Sequence, residues 1–127
     1  MRQALKATRT ELINQRLSAL REHCPDLEAA AVISVEGLMI ASASPETLED
    51  NLMAAMTAAM LALGERIAME FNRGQLSQVY IKGEAGYVLL MAINDGAVLT
   101  ALAANEAKLG LVFLDMREAV ADLRPML

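Results

Sequence analysis

Apolar residues recur at helical spacing near both ends of the chain. Leucine and isoleucine alternate with charged residues over residues 3–22, which predicts an amphipathic helix. Pro25 disfavours helix in the residue before it, so this helix should end ahead of Cys24. A second amphipathic stripe covers residues 108–123 and predicts a last helix, closed by Pro125.

A longer helix is predicted in the middle of the chain. Ser44 and Pro45 are typical of a helix start, with serine as the N-cap and proline at the first helical position. Apolar residues then continue to Phe71. Gly74 follows closely and can provide the C-terminal cap.

Five short apolar segments are typical of β-strands. Gly37 lies between the first two and can take the positive φ of a tight hairpin turn. Asn94-Asp95-Gly96 lies between the last two and is a strong hairpin sequence. The five predicted strands are residues 29–34, 38–42, 76–82, 87–93 and 97–103.

The elements follow the order helix, two strands, helix, three strands, helix. Two antiparallel strand groups joined by a long helix predict an α+β fold with one sheet and helices packed on its faces. A chain of 127 residues fits a single domain, residues 1–127, with one core.

The middle helix is apolar on nearly every side, which indicates that it is buried on nearly every side. Its large residues share one broad face, which we expect to lie on the sheet: Leu52, Met53, Met56, Met60, Leu63, Ile67 and Phe71. Small residues dominate the opposite face, where a second copy of the helix could approach closely. The alternative is that alanine, the best helix former, is simply exposed there.

Composition and charge exclude several function classes. The net charge of −5 argues against general nucleic-acid binding, which needs a basic surface. The longest apolar run, residues 52–63, is too short to span a bilayer. Cys24 is the single cysteine, so an internal disulfide is impossible and a reducing cytoplasm is the expected location.

No catalytic pattern stands out among the polar residues. His23 and Cys24 are neighbours, so they diverge on a helix and neither make a zinc site nor form a catalytic pair. The glycines match no nucleotide-binding pattern. We therefore expect no enzyme activity, no metal and no cofactor. A sensory or ligand-binding domain is the alternative, although the predicted core offers few polar groups besides Thr57, Thr100 and the two tyrosines.

Three segments carry a resemblance to a known family. Residues 28–42 (EAAAVISVEGLMIAS) resemble the opening hairpin of the roadblock (dynein light chain) family. Residues 86–100 (GYVLLMAINDGAVLT) resemble its central hairpin, and residues 107–113 (AKLGLVF) resemble the start of its last helix. The resemblance extends over about residues 3–123 and is strongest to bacterial stand-alone members, including those that partner the GTPase of gliding motility.

The resemblance implies a five-stranded antiparallel sheet with helices on both faces. It also implies a homodimer built through the middle helix and an edge strand, which binds and regulates or scaffolds a Ras-like small GTPase, with a possible GTPase-activating role. Together with the small-residue face, it predicts a dimer interface of eight residues: Ala54, Ala55, Ala58, Leu61, Ala62, Ala68, Val79 and Tyr80.

Overall fold

A computed structural model describes residues 7–46 and 48–127. Three helices and five strands alternate along this part of the chain. In order they are α1 (Arg9–His23), β1 (Leu27–Ser34), β2 (Met39–Ala43), α2 (Asp50–Glu70), β3 (Gln78–Gly83), β4 (Gly86–Asn94), β5 (Ala97–Ala104) and α3 (Leu109–Leu123). A 3-10 turn, Arg124–Met126, follows α3.

The five strands form one antiparallel sheet in the order β2-β1-β5-β4-β3. β1 and β2 form one hairpin, β3, β4 and β5 form a meander, and β1 joins the two groups by pairing with β5. The predicted fold class is confirmed. The order leaves β2 and β3 as the two edge strands.

The helices cover both faces of the sheet. α1 and α3 share one face, where a large core forms around Leu17, Leu99 and Met116. An ion pair between Arg16 Nε and Asp122 Oδ2, 2.8 Å apart, joins these two helices at the surface. α2 lies alone on the other face, over a smaller core that includes Ile33, Leu90 and Val98.

α1 begins with a capping box that the sequence prediction missed. Thr8 Oγ1 accepts a hydrogen bond from the Glu11 N–H at 3.1 Å, and Glu11 Oε2 accepts one from the Thr8 N–H at 3.3 Å. Within the described residues the helix therefore starts at Arg9, not at residue 3, because Thr8 has extended backbone. The Thr-x-x-Glu spacing was a usable signal. Residues 3–6 of the predicted helix lie outside the described part.

The predicted start of the middle helix is wrong by several residues. Ser44 and Pro45 do not begin α2; instead the Leu48 N–H donates to the Pro45 carbonyl in a turn, and the helix starts at Asp50. The dipeptide fits a turn as well as a helix start, since proline presets φ for both.

The end of α2 is where it was predicted, but the capping residue is different. Asn72, with φ 56°, takes the left-handed conformation that we assigned to Gly74. The Arg73 N–H donates to the Ala68 carbonyl at 2.7 Å and the Asn72 N–H donates to the Met69 carbonyl. These two hydrogen bonds make a Schellman motif, in which asparagine can replace glycine.

One buried hydrogen bond links α2 to the sheet. The Thr100 hydroxyl lies 3.2 Å from the Thr57 hydroxyl, and both residues are buried. Changing either threonine to valine leaves the other hydroxyl without this partner, so we expect each single variant to lose about 1–2 kcal/mol of unfolding free energy. The double variant should lose clearly less than the sum of the two. Urea denaturation of all four proteins measures this coupling, and strict additivity would contradict it.

Candidate interaction surface

The orientation of α2 is opposite to the one predicted. Its small and medium residues face the sheet: Ala54, Thr57 and Leu61 are its buried positions. Its large residues face away, and Met56 is 64% exposed. The prediction that the large face lies on the sheet is therefore wrong for most of its members.

Close packing explains this orientation. Ala54 keeps the helix axis near the sheet because its side chain occupies little space. Gly64 does the same at the next contact, where an added Cβ would lie 2.9 Å from Leu76 Cδ2 and 3.3 Å from Val79 Cγ2. Larger side chains on this face would lift the helix off β3.

The outward side of α2 carries several large exposed apolar residues, and we name it the outer α2 face. It comprises five such side chains: Leu52, Met56, Leu63, Ile67 and Phe71. Met53 and Met60, also predicted to lie on the sheet, are half-buried at its flank. An exposed apolar surface of this extent is typical of an interaction site rather than of free protein surface.

The eight predicted interface residues fall into different environments. Ala54 and Leu61 are buried inside the protomer, on the side of the helix that faces the sheet. Ala55 and Ala62 are exposed, and Ala68 is half-buried. Ala58 is half-buried beside Gly37 of the β1–β2 turn.

The other two predicted interface residues lie on β3, which is exposed along almost its whole length. Val79 is half-buried against the α2 side of the sheet. Tyr80 is 53% exposed and lies on the α3 side, with its ring centroid 6.1 Å from that of Phe113 and 6.4 Å from that of Tyr87. β3 is thus an open edge strand directly beside the outer α2 face, a combination that invites strand addition.

α2 is also long and apolar enough to cross a membrane, judged by length and composition alone. Its Ala54–Leu61 stripe packs on the sheet, however, and Glu65, Arg66 and Glu70 are exposed along its second half. Arg66 and Glu70 pair across one helical turn, with 3.6 Å between Nε and Oε1. These features describe a helix that packs on the sheet of its own domain and exposes its outer face.

His23 and Cys24 lie at the far end of α1, on the other side of the sheet, and both approach Asp115. His23 Nε2 is exposed and lies 3.6 Å from Asp115 Oδ1. Burial raises the pKa of the Cys24 thiol, and the negative charge of Asp115 raises it further. A thiol held protonated is the opposite of an activated nucleophile.

The raised pKa of Cys24 predicts how the unfolding free energy depends on pH. The unfolded thiol ionises near the ordinary pKa of 9.0, while the folded thiol keeps its proton to higher pH. The contribution of Cys24 to unfolding free energy is therefore complete below pH 9 and decreases as pH rises above it. As the pH rises from 8 to 10, we expect the unfolding free energy of Cys24→Ala to decrease less than that of the wild type, as measured by denaturant titration. Equal decreases would contradict the raised pKa of Cys24.

A cleft of about 1090 Å³ opens between the C-terminal half of α2 and the ends of β4 and β5. Apolar residues such as Leu61 and Leu76 line it together with Glu65, Asp95 and Arg124. The Arg124 Nε–H donates to the Ile93 carbonyl at 2.9 Å, which fixes the guanidinium at one wall. Within residues 7–46 and 48–127, no group of three or more His, Cys, Asp or Glu residues could hold a metal ion.

Comparison with known proteins shows which sequences and structures this chain is similar to. Two uncharacterised proteins of Methanocaldococcus jannaschii are each 32% identical over 100 residues, covering 79% of this chain and 87% of theirs. Among solved structures, Myxococcus xanthus MglB is 20% identical with a TM-score of 0.84, covering 91% of this chain and 94% of that one.

Two other solved structures have the same fold. The gliding protein MglB from Thermus thermophilus is 18% identical with a TM-score of 0.86, covering 96% of this chain and 93% of that one. A Roadblock/LC7 domain from Streptomyces avermitilis is 23% identical with a TM-score of 0.83, covering 88% and 94%. Residues 13–103 match the Roadblock/LC7 domain family itself, and the chain belongs to that family.

Proposed function

We propose that this protein is a non-enzymatic homodimeric adaptor that binds a Ras-like small GTPase and regulates or scaffolds it. The observation that carries the proposal is the outer α2 face beside the open edge of β3. Both features expose surface that folding of one protomer leaves uncovered, and both lie on the same side of the molecule. A second copy of this chain can cover both at once.

The spacing along the outer α2 face supports helix-to-helix packing. Leu52, Met56, Ala59, Leu63 and Ile67 follow one another at intervals of three or four residues. This is the spacing at which one helix presents a seam to another. Small Ala59 at the middle of the seam permits close approach. A two-fold dimer would use the same seam on both protomers, as isologous interfaces do.

The GTPase part of the proposal rests on membership of the Roadblock/LC7 domain family and on the resemblance to its bacterial stand-alone members. One of the structurally similar proteins is named a gliding protein, and gliding is the process of the bacterial stand-alone members that partner a GTPase. The acidic chain favours a protein partner over nucleic acid. Because its lone cysteine makes no internal disulfide, we place the protein in the reducing cytoplasm.

Two measurements test the proposal. Light scattering coupled to size-exclusion chromatography should give twice the protomer mass of 13.7 kDa. Affinity capture from native extract, run with GDP and with a non-hydrolysable GTP analogue, should recover a small GTPase. Preference for one nucleotide would indicate regulation, and equal capture would indicate a scaffold. A dimer that captures no GTPase in either state would overturn the partner assignment.

The cleft beside Arg124 favours a second candidate, a ligand-binding signalling domain. Its volume is of the order that small-molecule sites occupy, and its lining combines apolar residues with polar and charged ones. Native mass spectrometry of the purified protein distinguishes the candidates. A stoichiometric small molecule that is lost in Arg124→Ala would favour ligand binding, while the bare protomer or dimer mass would favour the adaptor.

A further inference from the structure

Three charged side chains from three different elements border the cleft at the ends of β4 and β5. Glu65 comes from α2, Asp95 from the turn between β4 and β5, and Arg124 from the 3-10 turn after α3. Within residues 7–46 and 48–127, none of the three forms an ion pair. Opposite charges therefore share one cleft without neutralising each other directly, and both signs stay available to a ligand.

The guanidinium of Arg124 is held by the protein but keeps donors free. Its Nε–H donates to the Ile93 carbonyl at 2.9 Å, while its two Nη groups donate to no described residue. Two Nη groups of one guanidinium can bind both oxygens of a carboxylate. Because the side chain is already fixed through Nε, little further ordering is needed when a carboxylate binds.

The turn that carries Asp95 is also held in place. Asn94 Oδ1 accepts a hydrogen bond from the Gly96 N–H at 2.8 Å, and the Gly96 carbonyl accepts one from the Val35 N–H at 3.0 Å. The second of these bonds ties the turn to the turn between β1 and β2. Asp95 itself is exposed, and its carboxylate can accept hydrogen bonds from an ammonium group.

The α2 side of the cleft is a stripe distinct from the outer α2 face. Leu61, Glu65 and Met69 line the cleft at intervals of four residues, the spacing of neighbours on one side of a helix. Leu61 is buried against the sheet, so this stripe lies towards the sheet. A dimer formed through the outer α2 face therefore does not use these residues.

Exposure separates the apolar from the charged residues of the cleft. The lining residues that are buried are all apolar: Leu61, Ile93 and Ala97. The charged lining residues are all exposed, so an apolar group of a ligand would lie deeper than its charged groups. One arginine against two carboxylates gives the lining a net charge of −1. A simple carboxylic acid would add to that negative charge, and a simple amine would leave Arg124 without a partner.

We propose that the cleft binds an apolar zwitterion of the amino-acid and short-peptide class. Its carboxylate would bind to the free Nη groups of Arg124, and its ammonium group to Asp95 or Glu65. The volume of about 1090 Å³ exceeds that of one amino acid, which favours a short peptide. This inference rests on the ligand-binding candidate named above and specifies its ligand; the adaptor proposal is independent of it.

Calorimetric titration with three dipeptides that differ only at their ends tests the proposal. Leucyl-leucine carries both charges, N-acetyl-leucyl-leucine lacks the ammonium group, and leucyl-leucinamide lacks the carboxylate. We expect leucyl-leucine to bind at least about tenfold more tightly than either of the others, because each of them loses one charge-assisted contact. Free leucine is the fourth probe: tighter binding of leucyl-leucine than of leucine assigns the site to peptides, and the reverse assigns it to the free amino acid.

Variants of the cleft identify which charge reads which end of the ligand. Arg124→Gln should bind leucyl-leucine and leucyl-leucinamide equally, and the double variant Glu65→Gln/Asp95→Asn should bind leucyl-leucine and its N-acetyl form equally. Arg117→Gln removes an exposed arginine of α3 outside the cleft and should keep both preferences. Circular dichroism checks that each variant is folded. If Arg124→Gln is not, Arg124→Lys keeps the positive charge and should retain part of the preference for a free carboxylate.

Three results would overturn the proposal. Equal affinity for the three dipeptides, or no binding of leucyl-leucine or leucine at about 10 mM, would overturn the ligand class. Preferences that survive in the cleft variants would place the binding elsewhere. Native mass spectrometry then decides the ligand-binding candidate separately, because a different retained small molecule would leave that candidate standing. None of these results changes the dimer mass or the GTPase capture, which test the adaptor.

Discussion

Changing Leu63 to glutamate is expected to convert the proposed dimer into monomers that remain folded. Leu63 is 54% exposed on the outer α2 face, so a charge there is solvated in the protomer. In a two-fold interface the same substitution would bury two unpaired carboxylates near the axis. At about 2 kcal/mol each, this cost weakens dimerisation roughly a thousandfold. Sedimentation velocity over a concentration series measures the change.

Leu111→Glu is the matched control. Leu111 also lies on a helix and is 59% exposed, but it is on α3, on the opposite face of the sheet. It should leave the dimer mass and the circular dichroism spectrum unchanged. Equal dissociation by both variants would mean that the charge acts through general destabilisation. No effect from either would remove the outer α2 face from the interface.

Local sequence signals were sufficient to predict the hairpins of this fold. Gly37, with φ 91°, turns between β1 and β2, and Asn94 Oδ1 accepts a hydrogen bond from the Gly96 N–H in the β4–β5 turn. Both turns depend on residue types whose backbone or side-chain preferences act within four residues. The strand positions could be predicted from the same turns, because a short apolar run between two turns usually forms a β-strand.

The orientation of α2 could not be predicted in this way. Apolar residues surround most of the helix, so the pattern itself does not say which side meets the sheet. The large residues were expected on the sheet because they share one broad face of the helix. The narrow space between α2 and the sheet sets the orientation instead. Gly64 and Ala54 fit into this space, and the large residues lie on the outer side of the helix. The distance at which two elements pack depends on tertiary structure, and the periodicity of the sequence does not specify it.

The candidate site was predictable only in part for the same reason. Tyr80 and Val79 were selected from β3 on the condition that β3 is an edge strand, and the strand order confirms that position. The order itself depends on β1 pairing with β5, a contact between residues about 70 positions apart in sequence. The helix half of the surface depended on the orientation of α2, and two of its six predicted residues, Ala54 and Leu61, are buried within the protomer.

Changing Gly86 to alanine is expected to be the most destabilising substitution in the sheet. Gly86 starts β4 with φ +146°, and an added Cβ would lie only 2.3 Å from the Ala103 carbonyl oxygen. That oxygen belongs to the backbone of β5, so relief requires the two central strands to separate. We expect a loss of about 3 kcal/mol and a melting temperature lower by about 10 °C, followed by circular dichroism.

Variants at two other glycines serve as controls. They distinguish the clash at Gly86 from the general effect of replacing a glycine. Gly110, in the first turn of α3, has no heavy atom within 4 Å of an added Cβ, so Gly110→Ala should be neutral or stabilise by up to about 1 kcal/mol through helix propensity. Gly83, across the same turn from Gly86, would place its Cβ at an ordinary 3.8 Å from the nearest oxygen. If Gly83→Ala and Gly86→Ala lower the melting temperature equally, the clash between β4 and β5 is not the cause of the destabilisation. The tight turn between β3 and β4 would then be the cause.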